Sequence, residues 1–320
     1  MPPDGPGCPR MAPDAAGRIW YGPPMAEKRK DKRRQQRKAQ QQRQEQRRLR
    51  AQQRAKKREK PANEPAAVGR LHDRLFHANY DYTGEAQFQA DEAGRVAVAA
   101  LAGTQVSDLS PLEGQPITAL DLAGCPVTDL SPLAGMPLTE LYLEDTAVAD
   151  LSPLAGMGLT KLYLSRTKVT DLSALAGMEL AELNLVGASI ETLDSLREAK
   201  VSQLWLNQCP VGDVAGLTAQ PLVSLTLEGT RVADLSALGE VDTLQRLHVA
   251  DTPVTDLSPI VELPLTRLIF TPSRIETGLE QVRAMTSLTE LGPTLEERLS
   301  PDEFWPKYDA GEFAETPSRS

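Results

Sequence analysis

Tyr142, Tyr163 and Trp205 stand at intervals of 21 and 42 residues in a chain of 320 that is only 4 % aromatic. Each joins an apolar ring to a polar tip, and such side chains are frequent anchors of protein–protein contacts. Charged and polar residues follow the same beat: Asp121, Glu140, Glu144, Lys161, Asn184, Asn207, Arg246, His248 and Arg267. A second series is acidic: Asp108, Asp129, Asp150, Asp171, Asp213, Asp234 and Asp256. A row of carboxylates invites calcium. Each of these also sits beside a turn, where Asp accepts hydrogen bonds from nearby backbone N–H groups, and that structural reading is preferred.

Nucleophilic, redox and metal chemistry is poorly supplied. The chain has three Cys and three His, too few for a disulfide framework or a Cys/His zinc cluster. Cys125 and Cys209 occupy one repeat position four units apart, roughly 19 Å at strand spacing. A disulfide needs Cα atoms within about 7 Å, so both read as small buried residues. No role is assigned to Cys8. No nucleophile–His–acid set falls in register, and His248 has no obvious partner. The expectation is a non-enzymatic protein with no cofactor and no metal.

These residues are positioned by an internal repeat. DLSPLAGMPLTELYLEDTAVA is followed by DLSPLAGMGLTKLYLSRTKVT, and units of 21 residues start at Val96, Ile117, Leu138, Leu159, Leu180, Val201, Leu222, Leu244 and Leu265, with one residue inserted before Leu244. Leu288 and Leu291 look like a final fragment. The LxL core of each unit, such as Leu141-Tyr142-Leu143, alternates as a short strand with one buried face. In Asp-Leu-Ser-Pro-Leu, Ser suits an N-cap and Pro the first helical position. The helical piece is about one turn, so a 3₁₀ turn is expected. One unit cannot bury its own apolar face, and stacked units share a continuous core.

This pattern resembles the leucine-rich repeat family, and most closely its short bacterial, internalin-like repeats, over about 96–291. The resemblance implies an α/β solenoid: a leucine-rich repeat horseshoe with short parallel strands on the concave face and 3₁₀ turns on the convex face. The family's buried Asn is replaced by Thr104, Cys125, Thr146, Thr167, Ala188, Cys209, Thr230 and Thr252. Ala has no hydrogen-bonding side chain, so the interior near Ala188 is expected to be less well satisfied. The ending IFTPSRIETGLEQVRAMTSL…EFWPKYDAGEF is similar to tails of bacterial repeat proteins, some of which carry a Ser/Thr kinase domain before the repeats. No glycine-rich phosphate loop, HRD or DFG is present here, and His72-Asp73-Arg74 is in the wrong order. No catalytic residue carries over.

Both ends of the solenoid need closing. Residues 66–79 read as an amphipathic helix with Leu71, Leu75 and Phe76 on one face. Phe88 to Val98, turning at Asp91-Glu92-Ala93-Gly94, reads as a hairpin that continues the sheet. This cap spans 61–95, and His72 and His77 fall in it with surface or cap roles. A helix is expected at 276–286 with Leu279, Val282 and Met285 inward. Ser300-Pro301-Asp302-Glu303 is a capping-box pattern opening a tail helix within 292–320, which docks Phe304, Trp305 and Tyr308 or presents them to something else.

Charge divides the chain. Residues 26–60 hold 17 Lys/Arg against 4 Asp/Glu, a net of +13, leaving −22 for 61–320 of the total −9. The arm 26–60 has nine Gln, good helix formers and one large apolar residue, Leu49. It has no apolar stripe for a coiled coil, a core or lipid insertion. It reads as a solvated helix or a disordered arm. It contacts polyanions such as RNA, DNA or an anionic membrane surface, serves as a linker, or lies on the acidic body. Its candidate polyanion residues are Arg33, Arg34, Arg37, Lys38, Arg43, Arg47, Arg48, Arg50, Arg54, Lys56, Lys57 and Arg58. Residues 1–25 read as a disordered Pro/Gly-rich tail, and Met25 is an alternative start.

No apolar run approaches the ~18–20 residues of a membrane span. No export signal is evident, and with unpaired cysteines this fits the cytoplasm. The expected function is a monomeric interaction scaffold that binds a protein partner on the concave face. Early strands there are acidic and late ones basic. The alternatives are sheet stabilisation by the aromatic column and tethering of polyanions by the arm.

Overall fold

In the computed structural model the described residues are 64–313 except 219, together with Lys38, Gln41, Glu45 and Leu49. Those four are helical and exposed. The remaining polyanion candidates, Arg33, Arg34, Arg37, Arg43, Arg47, Arg48, Arg50, Arg54, Lys56, Lys57 and Arg58, lie outside the described residues, as does Cys8.

The repeats build one eleven-stranded sheet in strictly sequential order. Its strands are β1 Gln87–Ala90, β2 Val96–Ala100, β3 Ala119–Asp121, β4 Glu140–Tyr142, β5 Lys161–Tyr163, β6 Glu179–Asn184, β7 Lys200–Trp205, β8 Ser224–Thr226, β9 Arg246–His248, β10 Arg267–Ile269 and β11 Glu290–Gly292. β1 and β2 form the antiparallel hairpin of the cap, and every later neighbour is parallel. The central leucines of the strands, from Leu120 to Leu291, are buried in one column. Period 2 then leaves the flanking residues of each strand on the open face.

On the other side, 3₁₀ turns such as Ser131–Leu133 and Ser152–Leu154 hold Pro in the first turn. The N-cap reading of Ser needs correction. Ser is the first residue of the turn, and the capping group is the Asp two residues earlier. Asp108, Asp129, Asp150, Asp171, Asp213, Asp234 and Asp256 each accept the backbone N–H of the residue two ahead at 2.7–2.9 Å. In the unit between Asp171 and Asp213, where Thr replaces Asp, Thr192 Oγ1 accepts from Asp194 N. The acidic column is therefore a row of turn braces, each doing for its 3₁₀ turn what a cap does for a helix.

The expected weak point at Ala188 is also corrected. Thr146, Thr167, Thr230 and Thr252 each donate to the carbonyl three residues back in their own unit. Cys209 instead reaches into the preceding unit, and its thiol donates to Leu185 O at 3.0 Å. That is the carbonyl a threonine at 188 would bond. Cys125 does the same for Leu101 O at 3.0 Å, with Thr104 Oγ1 3.5 Å from its sulfur. Both cysteines are free and buried, and burial pushes the Cys209 thiol up to about 11. Gln220 stands where other units carry Met, and its amide bonds Val201 N, Leu196 O and Ala199 O.

The caps follow the same logic. Helix α1, Ala66–Ala78, buries Val68, Leu71, Leu75 and Phe76 against the first unit, and His72 Nδ1 lies 2.7 Å from Tyr82 Oη inside it. His77 is exposed, with Nδ1 at 2.5 Å from Asp73 O. Asn79, where α1 ends, clips cap to repeats: its Oδ1 accepts Ser107 N and Asp108 N, and its Nδ2 donates to Asp108 O. At the far end, helix α2 covers only Leu279–Ala284, shorter than the expected 276–286. Glu276 and Thr277 instead bond Thr255 O as an extension of the ladder. Gly278 then turns with φ 91, and a Cβ there would lie 2.5 Å from Ser258 N, so only glycine fits. Val282 is buried, and Leu279 and Met285 pack half-buried on the core. Helix α3, Pro301–Asp309, opens with the capping box of Ser300 and Glu303. It buries Phe304 fully, 5.7 Å from the Phe270 ring, with Trp305 and Tyr308 packed around it.

Because Thr104 stands ready at Leu101 O and Ala188 offers nothing at Leu185 O, the two thiols are unequal. Cys209→Ala lowers stability by about 1–2 kcal/mol, more than Cys125→Ala, and Ala188→Thr restores most of the loss. Urea midpoints of the three variants check this. Equal losses, or no rescue, would show that the bond to Leu185 O is idle.

Candidate functional site: the strand face

Register places the sequence-predicted residues in columns. The central column runs Asp121, Tyr142, Tyr163, Asn184, Trp205, Thr226, His248 and Ile269. One flank runs Glu140, Lys161, Glu182, Gln203, Ser224, Arg246, Arg267 and Glu290. Glu144 and Asn207 continue their strands on the other flank.

The three rings are brought together. Tyr142 and Tyr163 have centroids 5.0 Å apart, and Tyr163 and Trp205 are 6.3 Å apart across Asn184. Asn184 is held down between them: its Oδ1 accepts Ser165 Oγ at 2.7 Å and Val186 N at 3.1 Å. All three rings are half-buried. The two tyrosine tips are anchored by carboxylates. Tyr142 donates to Glu140 Oε2 at 3.0 Å and Tyr163 donates to Glu182 Oε2. Lys161 sits between those acids, 3.4 Å from Glu140 and 3.9 Å from Glu182. Burial, then the bond to Glu140, pushes the Tyr142 hydroxyl up to about 12, and the same causes raise Tyr163. Both stay neutral donors at physiological pH. Further along, Thr226 donates to Asn207 Oδ1, and Asn207 Nδ2 donates to Glu228 Oε2 at 2.8 Å.

The late end of the predicted site is different. His248 is only 4 % exposed and Ile269 fully buried, so neither is presented. Arg267 donates to Glu290, and Arg246 is half-buried. The cause lies outside the repeat register: after β11 the chain doubles back, pairing Leu299 with Leu291 in antiparallel fashion, and Gly292 packs against Glu297 O. Charge from Glu296 in this hairpin reaches His248. The presented face is therefore the stretch from β3 to β8.

A backbone pattern marks the ring-bearing strands. Three residues past Tyr142, Tyr163, Trp205 and His248 stand Asp145, Arg166, Gln208 and Asp251, with φ between 53 and 61°. They are the four non-glycine residues of positive φ among the described residues. After Asp121, Asn184 and Thr226 the same position is Gly124, Gly187 and Gly229. A side chain in this conformation costs on the order of 1–2 kcal/mol, and such strain clusters at functional sites. Sequence reasoning missed this rim, although the alternation of Gly and non-Gly behind the rings was there to be read.

Among the described residues, neither nitrogen of His248 has a hydrogen-bond partner. Burial holds its imidazole below the ordinary range, with Glu228, Asp251 and Glu296 pulling upward. A base whose folded pKa is depressed takes up a proton on unfolding, so stability is lost as pH falls below about 6.5. His248→Leu removes that loss, and its advantage over the parent grows by up to about 1.4 kcal/mol between pH 7.5 and 5.5. Urea midpoints at both pH values measure it, and an advantage that is constant with pH would refute the assignment.

No family model and no curated protein matches the chain. Among solved structures it is similar to internalin C2 of Listeria monocytogenes at 25 % identity and TM-score 0.51, over 65 % of this chain and 93 % of that one. A leucine-rich repeat protein of Leptospira interrogans is similar at 18 % identity and TM-score 0.48, over 57 % of this chain and 50 % of that one. The leucine-rich repeat ectodomain of the plant receptor kinase GASSHO1/SCHENGEN3 of Arabidopsis thaliana, solved in complex with Casparian strip integrity factor 2, gives 16 % identity and TM-score 0.47, over 63 % and 27 %. Period, parallel register, 3₁₀ turns and the match to internalin C2 agree: the chain is a leucine-rich repeat protein whose architecture is shared with a bacterial internalin.

Proposed function

We propose that this protein is a non-enzymatic interaction module that holds a protein partner on its strand face, with Tyr142, Tyr163 and Trp205 as the anchors. The observation that carries this is the three-ring cluster itself. Rings held half-buried by hydrogen bonds to Glu140 and Glu182 present a preorganised apolar surface, and aromatic anchors of this kind dominate binding energy in protein interfaces. The leucine column lies on the other face of the sheet from the rings and is buried throughout. The solved neighbour from Arabidopsis thaliana holds a second molecule in its complex. No helix among the described residues is long and apolar enough to cross a membrane. Two unpaired buried thiols fit a cytoplasmic setting, and a monomer needs no second copy to complete this face.

A second reading rests on charge alone. The +13 arm is suited to sequence-independent contact with nucleic acid or another polyanion. It has no aromatic residue to stack bases. Binding of a single-stranded RNA homopolymer to the full chain then weakens steeply with salt and disappears when 26–60 are deleted. RNA binding that survives the deletion would end this reading.

The strand-face reading is tested by a photo-crosslinking residue at position 184, between the rings, with position 176 on the opposite side as control. Crosslinks to a partner form from 184 and not from 176. Replacing Tyr142, Tyr163 and Trp205 together by Ala leaves the circular dichroism unchanged and weakens the partner at least ~100-fold. A triple variant that still binds every partner at full affinity would defeat the proposal.

A further inference from the structure

The central column closes at His248, but the flank beside it stays open. Its late half runs Gln203, Ser224, Arg246, Arg267 and Glu290 in register. Arg246 and Arg267 stand directly opposite each other on neighbouring strands, about 4.8 Å apart along the sheet. Like charges in that position repel and cost stability. Arg267 Nε donates to Glu290 Oε2, and Arg298, from the hairpin after β11, reaches the same oxygen with Nη1 at 3.9 Å. The bond from Arg267 is the chief cause that holds the Glu290 carboxyl below its ordinary range. This acid is ionised at neutral pH and already shared by two cations.

Arg246 has no such acid. Among the described residues its guanidinium makes neither an ion pair nor a hydrogen bond, although the residue is half-buried. Glu228 and Glu296 act on His248, two residues along the same strand, and neither pairs with Arg246. Ser224, its neighbour on the other side, is uncharged. The contrast within the row is sharp: Lys161 lies between two acids, Arg267 has one, and Arg246 has none. The row is also reachable. The side chains of Arg267, Glu290 and Arg298 are 29, 39 and 40 % exposed. Arg267 spends only Nε on Glu290, which leaves both of its Nη groups for another acceptor.

We infer that Arg246 and Arg267 together receive one carboxylate of the bound partner, an aspartate or glutamate side chain lying between the two guanidinium groups. This rests on the reading that the strand face binds a protein. A planar carboxylate offers two oxygens, one for each guanidinium, in charge-assisted hydrogen bonds, and it relieves the repulsion between them. A phosphate would bring a second negative charge beside Glu290 and fits less well. Trp205 lies on the same face two strands before Arg246, about 10 Å away. An extended segment covers that distance in about three residues. The partner is therefore a segment that carries an acid about three or four residues from the side chain seated on the rings. Charge complementarity selects such a segment and disfavours a basic one at this end of the face.

The full chain is titrated with acetyl-glutamate amide, acetyl-glutamine amide and acetyl-phosphoserine amide while backbone amide resonances are followed by NMR. Glutamate amide moves the resonances of residues 224, 246 and 267 and binds about tenfold more tightly than glutamine amide. Arg246→Gln weakens glutamate about tenfold, and Arg246→Lys weakens it less, since a point charge remains. Glu290→Gln, which frees Arg267, tightens it. Resonances elsewhere report that each variant is folded. Equal binding of glutamine, phosphoserine binding more than about tenfold tighter than glutamate, or an Arg246→Gln variant that binds as the parent overturns the carboxylate site. The crosslink from position 184 separates the two failures. If glutamate is not bound but that crosslink persists, only the carboxylate site is lost. If both vanish, the strand-face reading goes with it. Glutamate binding without any crosslink from 184 overturns the assignment of this site to a partner.

Discussion

A coil of 21 residues has no interior of its own, and nearly everything in this molecule follows from that. Each unit offers one column of leucines and one row of backbone groups, and both are satisfied only by the units on either side. The ladder runs through Leu122 N to Tyr142 O, Leu143 N to Tyr163 O and Leu164 N to Asn184 O, unit after unit. Burial of the column from Leu120 to Leu291 supplies the driving force. Whatever is repeated is therefore held to the spacing of the sheet, and whatever the sheet leaves on its open face is free to vary. That division makes the open strand face the part of each unit that packing constrains least.

The same constraint explains what could be read from the sequence and what could not. The strand positions, the 3₁₀ turns and the columns of the open face follow from period and residue type, because every unit reports on the same geometry. Asp at the turns was legible as a brace, although Ser looked like the capping residue. The two differ only in which side chain reaches the first free N–H, and Asp is placed two residues ahead to do so. Features between units or outside the period were not legible. Cys209 bonding Leu185 O joins two coils, and no single unit predicts it. Gly278 shortens α2 because of an approach to Leu257 and Ser258 that only the folded chain creates. The hairpin after β11, which obeys no repeat, brings the charge of Glu296 to His248.

That hairpin also changes the meaning of the strand face. Read as a column, the polar residues ran from acidic β3 to basic β10, as if one long partner could lie along all of them. Closing His248 and Ile269 and engaging Arg267 with Glu290 removes much of the basic end from the surface. The face that remains is shorter and more acidic, and its apolar content is concentrated in three neighbouring rings.

Within that shorter face, the distribution of glycine is the part that packing does not require. Asp121 and Asn184 use their side-chain oxygens to hold their own loops, at Ala123 N and Val186 N, and their strands turn through glycine. A tyrosine or tryptophan in the column cannot make that bond. Glycine would still be the unstrained choice three residues on, as Gly229 behind Thr226 shows. Instead the chain places Asp145, Arg166 and Gln208 there, a conformation that Asp tolerates and that Arg and Gln disfavour. Asp145 and Arg166 grip each other across adjacent units, which offsets part of the strain. The pairing also commits the Arg166 guanidinium to Asp145. The arrangement found keeps a rim and three rings together, and this combination, not any one of its residues, sets this stretch apart from the rest of the sheet.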